Sequence, residues 1–378
     1  NDIVPGSDMA RNTFTFNGNS KFGSKLSVEA RAFYMNERVT NRPAMADDPS
    51  NIGNSFVGLA NNVDQAYFET GYKDELGNYV DWGGGQYRIN PYWVINEMEN
   101  TTKKDRVMGA LQANYTFNSM FSLQGRASTD VTFLDFDKYS PQTTPGALSG
   151  RLDQINQRFS TTEADLLFSF QKQVTSTVNL SARLGASLSR IGTVGNTLTF
   201  TNMTMNDVIS SNSFSDKSSV EIDVNKQTNS FYALLSAGYK SYLYLDATVR
   251  RDASSTLPED NNTYYYPSLA GSFIFTDAFD INKNFISYGK VRASAAEVGN
   301  DTDPYQLDLY YSLNAISFNG GSVGGVSSTV LPNKNLKPTR TRSFEFGTEL
   351  KFLDNRLGLD VTYYNQRSRD QINRVPAP

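Results

Sequence analysis

Paired carboxylates are the first residues here that could do chemistry. Glu163 with Asp165, and Glu345 with Glu349, have the residue types a glycosidase uses as acid and base. Both pairs, however, sit at alternating positions of polar strand faces, so they read as the lining of a hydrated surface and no catalytic residue is assigned. Asp301-Thr302-Asp303, Asp47-Asp48 and Asp74-Glu75-Leu76-Gly77-Asn78 each hold part of a calcium loop. None continues with the further oxygen ligands and late bidentate Glu that calcium needs, so no metal is assigned. Trp82-Gly83-Gly84-Gly85 lacks a Walker lysine and a following helix, and reads as a turn. Asn261-Asn262-Thr263 fits a glycosylation sequon, which gives no function here. The chain has neither Cys nor His, which excludes disulfides, thiolate nucleophiles, Cys/His zinc sites and Ser-His-Asp triads. No cofactor is expected. The net charge of −4 argues against nucleic acid as a partner. More informative are the aromatics Trp82, Tyr87, Tyr92 and Trp93, close together in a long polar stretch. They could stack on sugar faces or peptide side chains; the competing reading is that they pack the loop itself or a partner.

Period-2 alternation dominates the rest of the chain. From Val107 the odd positions read Val107, Gly109, Leu111, Ala113, Tyr115 and Phe117, with Met108, Ala110, Gln112, Asn114 and Thr116 between them. After Asn118-Ser119-Met120 they continue as Phe121, Leu123, Gly125, Ala127, Thr129, Val131 and Phe133, opposed by polar Gln124, Arg126, Ser128 and Asp130. The same hairpin recurs around Thr175-Ser176-Thr177, Lys240-Ser241 and Asp354-Asn355. Weaker pairs are Thr13–Phe22 with Lys25–Tyr34, and Tyr264–Phe275 with Phe285–Val298.

Strands of ten to fourteen residues exceed the usual five or six of a soluble sheet and suit a tilted membrane strand of about 9–11. Connections alternate too: turns inside hairpins are short, whereas 36–106, 134–161 and 191–228 are long and polar. That asymmetry predicts an all-β, antiparallel transmembrane barrel with short periplasmic turns and long extracellular loops. Tyr115, Phe117, Phe121, Tyr239, Tyr242, Phe273, Phe275 and Phe352 flank the short turns, where an interfacial aromatic girdle would lie. Leu111, Leu123, Leu166, Phe168, Leu180, Leu184, Leu245, Leu359 and Val361 are expected to face lipid. Gln112, Arg126, Asp130, Arg183, Asp246 and Asp360 are expected to face the lumen. A soluble β-sandwich also alternates, but favours large aliphatics on its inner face, where this chain has many Ala and Gly. No run approaches the 18 apolar residues of a membrane helix, and Asn1–Gly6 has no basic or apolar region of a secretory leader.

Several strand-end words resemble those of a known family. They are Asn90-Pro91-Tyr92-Trp93 with Lys103-Lys104-Asp105-Arg106, Arg251-Asp252-Ala253-Ser254-Ser255 before Tyr266-Pro267-Ser268, and Lys290-Val291-Arg292-Ala293-Ser294 with Val298-Gly299-Asn300. Asn335-Leu336-Lys337-Pro338 leads into Ser343-Phe344-Glu345-Phe346-Gly347, and the most specific stretch is Phe352–Leu357 with Asp360-Val361-Thr362-Tyr363-Tyr364-Asn365. In this order they resemble SusC-like (RagA-type) TonB-dependent transporters of the Bacteroidetes outer membrane. The resemblance implies a 22-stranded plugged barrel that imports oligosaccharides or peptides. It also implies a SusD-like surface lipoprotein as partner, and a TonB complex engaged through an N-terminal region not recognised here. With about twelve strands, residues 1–378 are expected to be part of one barrel domain, about half of it, without plug or TonB box. The alternatives are a stand-alone passive porin, or a secreted β-rich glycan-binding or adhesin module.

Overall fold

A computed structural model describes residues 4–205, 208–279, 281, 285–319, 321–326 and 331–373. Arg374–Pro378 lie outside the described residues. Among those described, twelve strands form one antiparallel sheet in sequence order. They are β1 (Asp8–Phe22), β2 (Leu26–Thr40), β3 (Glu99–Thr116), β4 (Phe121–Thr144), β5 (Ala147–Thr175), β6 (Val178–Met203) and β7 (Phe214–Tyr239). Next come β8 (Leu243–Ser254), β9 (Thr263–Ile274) and β10 (Ile286–Asn300). A separate small hairpin, β11 (Tyr311–Phe318) with β12 (Gly321–Val326), precedes β13 (Thr339–Phe352) and β14 (Leu357–Arg369). Strand β10 pairs with β13 across that hairpin.

Register explains the two faces. Leu111 lies opposite Ala127, and Ala127 opposite Ala164; one step along, Gln112 faces Arg126 and Arg126 faces Asp165. Farther round, Leu180, Ala237, Leu245, Gly271, Ala293, Phe346 and Tyr363 form one row of paired positions. Leu111, Leu166, Leu184, Leu245, Leu359 and Val361 remain about half exposed or more, uncovered by any sheet among the described residues. A sandwich would bury these side chains, whereas a barrel turns them to lipid. On the other face the Tyr232 ring lies over Gly185, where a Cβ would come within 2.1 Å of it.

Because neighbours are sequential and antiparallel, the turns at 118–120, 176–177 and 353–356 share one edge, as alternation requires. That edge is lined by contacting aromatics: Tyr115 with Phe117, Phe121 with Phe168 and Phe170, Tyr239 with Tyr242, Tyr242 with Phe273, and Phe285 with Phe352. Phe275 lies just past β9, in the short helix α4 (Phe275–Ala278) counted in chain order.

Two of the three supposed long loops are largely strand. Residues 134–161 continue β4 and β5 up to a tight turn at Pro145-Gly146, with Gly146 at φ +81°. Residues 191–228 continue β6 and β7 and leave only 204–213 between them. Beyond the bilayer the outward face meets water instead of lipid, so the long apolar stripe breaks up into short patches while the backbone ladder continues. Thr197-Leu198-Thr199-Phe200-Thr201 still favours extended chain. Leu152, Phe200, Met203 and Phe214 form a small buried cluster in this extension. The third link is a real loop, residues 41–98, carrying α1 (Ile52–Val57), α2 (Gln65–Thr70) and α3 (Pro91–Asn96).

Candidate functional site

Local sequence builds the 41–98 loop from three capped turns. Asn51 accepts a hydrogen bond from the Gly53 amide at 3.1 Å, Asp64 from Ala66 at 2.9 Å, and Asn90 from Tyr92 at 3.0 Å. Pro91 occupies the first position of α3, where its missing N–H costs nothing. That start turns Trp93 inward. Its ring is 1 % exposed, its Nε1 donates to Thr144 Oγ1 at 3.0 Å, and Tyr79 and Tyr72 meet it edge-on at 5.3 and 6.3 Å. Ile89 and Met98 complete this core. Burial pushes the Tyr79 hydroxyl above its ordinary pKa, with Asp81 adding to the effect.

The four aromatics singled out from sequence are therefore placed differently. Trp82 is half-buried, edge-on to Phe68 at 5.1 Å, and its Nε1 donates to the Arg88 carbonyl at 2.9 Å. Tyr92 is also half-buried, its hydroxyl accepting from Gln65 Nε2 at 2.7 Å. Tyr87 is 74 % exposed. Trp93 holds the loop to the wall and offers no face to a ligand. Phe68, Tyr72 and Tyr79, which complete the packing, were not singled out; the Asn-Pro helix start before Trp93 was the available signal.

The loop is fastened to the rim of the wall. Tyr79 N donates to Thr143 Oγ1 at 2.8 Å, and Lys138 Nζ reaches Asp48 Oδ2 at 3.3 Å. Lys138 continues the β4 face that carries Arg126 and Asp130, so this anchor lies on the lumen side. Burial opposes ionisation of Asp48, but hydrogen bonds from Ser50 Oγ and N, with the Lys138 charge, hold its carboxyl below the usual range. A lowered folded-state pKa means the tether is intact above the ordinary carboxylate pKa of about 3.9 and is lost as pH falls through the lowered value. Amide exchange in residues 41–58 should therefore accelerate selectively on acidification below about pH 4, and Asp48→Asn should remove that selectivity. Equal acid sensitivity in the Asn variant would show that another group fastens the loop.

The lumen face carries a ladder of ion pairs. Arg106 Nε donates to Asp130 Oδ1 at 2.9 Å, Arg126 lies 3.1 Å from Asp165 and 3.8 Å from Glu163, and Arg292 lies 2.8 Å from Asp360. Each is partly exposed and so adds little stability; together they make a wetted, charge-paired surface. The remaining acidic motifs serve turns and strand ends. Asp74 Oδ1 accepts from Leu76 N and Asn78 N at 2.9 and 2.8 Å. Asp81 Oδ1 accepts from Gly83 N and Gly85 N at 2.9 and 3.2 Å, which makes Trp82–Gly85 the turn expected. Asp301 holds Lys226 at 2.6 Å and Ser254 at 2.5 Å.

Comparison with known proteins agrees with this architecture. Residues 10–378 match the sequence profile described as TonB dependent receptor-like, beta-barrel. TonB-dependent receptor P26 of Formosa agariphila is 23 % identical over 350 residues, covering 86 % of this chain and 34 % of that protein. TonB-dependent receptor P3 of the same organism is 30 % identical over 142 residues, 37 % of this chain and 14 % of that one. The RagAB peptide transporter structure superposes with a TM-score of 0.79 over 98 % of this chain and 42 % of that chain, at 17 % identity. The FpvA receptor of P. aeruginosa gives 0.51 over 95 % of this chain and 42 % of that chain, at 12 % identity. The chain thus spans about a third of P26 and two-fifths of these solved chains. It belongs to the TonB-dependent receptor β-barrel family of outer-membrane proteins, and its sheet is barrel wall.

Proposed function

We propose that this chain is the wall, lumen lining and part of the extracellular mouth of a TonB-dependent importer of oligosaccharides or peptides. Residues 1–378 are read as part of a single barrel domain. The plug, and the TonB box on which the energy machinery pulls, belong to other parts of the protein. A SusD-like lipoprotein would cap the mouth. Transport is the activity, with no catalytic step on this segment. The observation that carries the reading is the combination of a charge-paired lumen face with a packed loop fastened on the lumen side of the rim. Such a mouth can shape passage as well as permit it. Similarity to the RagAB peptide transporter supports the peptide branch of the cargo class. Tyr87 is proposed as a cargo contact, with the exposed edges of Trp82 and Tyr92 beside it, while Trp93 holds them in place.

The test is uptake of fluorescent oligopeptides and oligosaccharides by cells with and without the gene for the whole protein. One cargo class should fail to enter the deletion strain, and the same loss should follow removal of TonB. Uptake that persists without TonB would overturn active import and favour a passive pore.

A further inference from the structure

The lipid-facing surface of β10, β13 and β14 ends in an unusual concentration of arginine. Its rows of paired positions read Phe352 with Leu357, Leu350 with Leu359, Thr348 with Val361, Phe346 with Tyr363 and Phe344 with Asn365. The next two rows on the same face are Arg342 with Arg367 and Arg340 with Arg369. At about 3.4 Å per residue and a tilt of 35–45°, the apolar rows rise about 20 Å from the short-turn edge, and the first arginine row stands about 5 Å higher. An outward apolar band is about 25 Å tall, so the arginines stand where acyl chains give way to headgroups on the extracellular side.

Their charge is not balanced among the described residues of these strands. Glu297, opposite Arg342 and 10 % exposed, is the carboxylate to which Arg340, Arg342 and Arg369 converge, at 3.1 Å for Arg340 and 3.8 Å for Arg369. Arg367 is exposed and has no carboxylate partner among the described residues. Like charges directly opposite one another across strands are unfavourable, and this face has two such rows in succession. One glutamate orients three guanidinium groups and leaves an excess of positive charge, with donors free for further acceptors. The guanidinium fork suits phosphate oxygens. Elsewhere on the outward face, at the corresponding strand ends, basic and acidic residues are mixed: Arg38 pairs with Lys103, and Lys103 with Asp135.

We propose that Arg340, Arg342, Arg367 and Arg369, ordered by Glu297, bind the phosphate groups of a phosphorylated glycolipid of the outer leaflet. Such a lipid fits the site twice, its acyl chains against Phe344 and Phe346 and its headgroup phosphates against the arginines. This inference rests on the orientation of the barrel and not on what the protein imports. Failure of the uptake experiment and failure of this one are therefore separate results.

The experiment uses the whole protein in detergent, titrated with diphosphoryl lipid A and, separately, with the same lipid dephosphorylated, bound lipid being counted by native mass spectrometry. Wild type should prefer the phosphorylated lipid at least tenfold. Combined Arg342→Gln, Arg367→Gln and Arg369→Gln should lower that preference at least fivefold, whereas Lys at the same three positions should keep most of it. If the triple Gln protein loses heat-modifiable gel mobility, the single Arg367→Gln variant, which breaks no described ion pair, should still lower the preference about twofold. Equal binding of both lipids by wild type would overturn the proposal, as it would if a carboxylate from a further strand beside β14 neutralised the patch. Displacement of the lipid by 10 mM inorganic phosphate would overturn it in favour of a free-anion site.

Discussion

Trp93→Ala should unfasten the extracellular loop while leaving the barrel wall intact. The indole is 1 % exposed, carries a hydrogen bond to Thr144, and is the ring on which Tyr72 and Tyr79 converge. Truncating a buried Trp costs about 3–5 kcal/mol, and the cavity here lies between a loop and the strand end that supports it. The ladders of β3 and β4 make their hydrogen bonds without Trp93, so the loss falls on the local opening of residues 41–98. Hydrogen exchange of that loop in the whole protein should accelerate about 100-fold or more, and exchange in the membrane part of β3–β6 should not change. Tyr87→Ala is the contrast. Its ring is 74 % exposed, so loop protection should be unaltered and any effect should appear in cargo capture alone. If Trp93→Ala left loop exchange within twofold of wild type, the packed-mouth reading would fail.

How far the sequence could be read depended on what solvent each face met. Between Val107 and Val131 one face meets lipid and the other water, so Leu111 and Gln112 or Ala127 and Arg126 differ in type and the strands are visible. Past Leu134 and Ile191 the outward face meets water instead of lipid, the apolar stripe is reduced to short patches such as Leu198 and Phe200, and polar strand reads as loop. The hairpin of β11 and β12 is not legible because Gly and Ser make up four of the six residues of β12 and leave it no apolar alternation. In the mouth, residue type alone could not say which aromatic was buried. A Trp two residues after an Asn-Pro helix start points into the loop, and a Tyr after Gly85-Gln86 stays in solvent, but both read as equal candidates. The ion pairs of the lumen were legible as polar positions and not as partners. Arg126 meets Asp165 and Glu163 only through a register that spans 37 to 39 residues of chain.

Leu184→Arg should be the most damaging single change in the wall. Leu184 is 59 % exposed on the outward face, opposite Phe168 on one side and Ala233 on the other. It stands six residues above the start of β6, which at about 3.4 Å per residue and a tilt of 35–45° places it about 15 Å up an apolar band about 25 Å tall. An arginine there cannot reach either headgroup layer without distorting the strand, and the cost near the midplane is about 2–4 kcal/mol. Arg183 is one residue away and points to the opposite face, between Ser169 and Leu234, where water already solvates it. Arg183→Ala should cost less than about 1 kcal/mol, since it removes an exposed charge from a wet surface. Folding of the whole protein into phospholipid vesicles, followed through urea by heat-modifiable mobility, compares the two variants on one scale. The Leu184 variant should fold with a much lower midpoint and the Arg183 variant close to wild type. The reverse order would put the aliphatic face inside, and only a water-soluble sheet with Leu184 in its core could account for that.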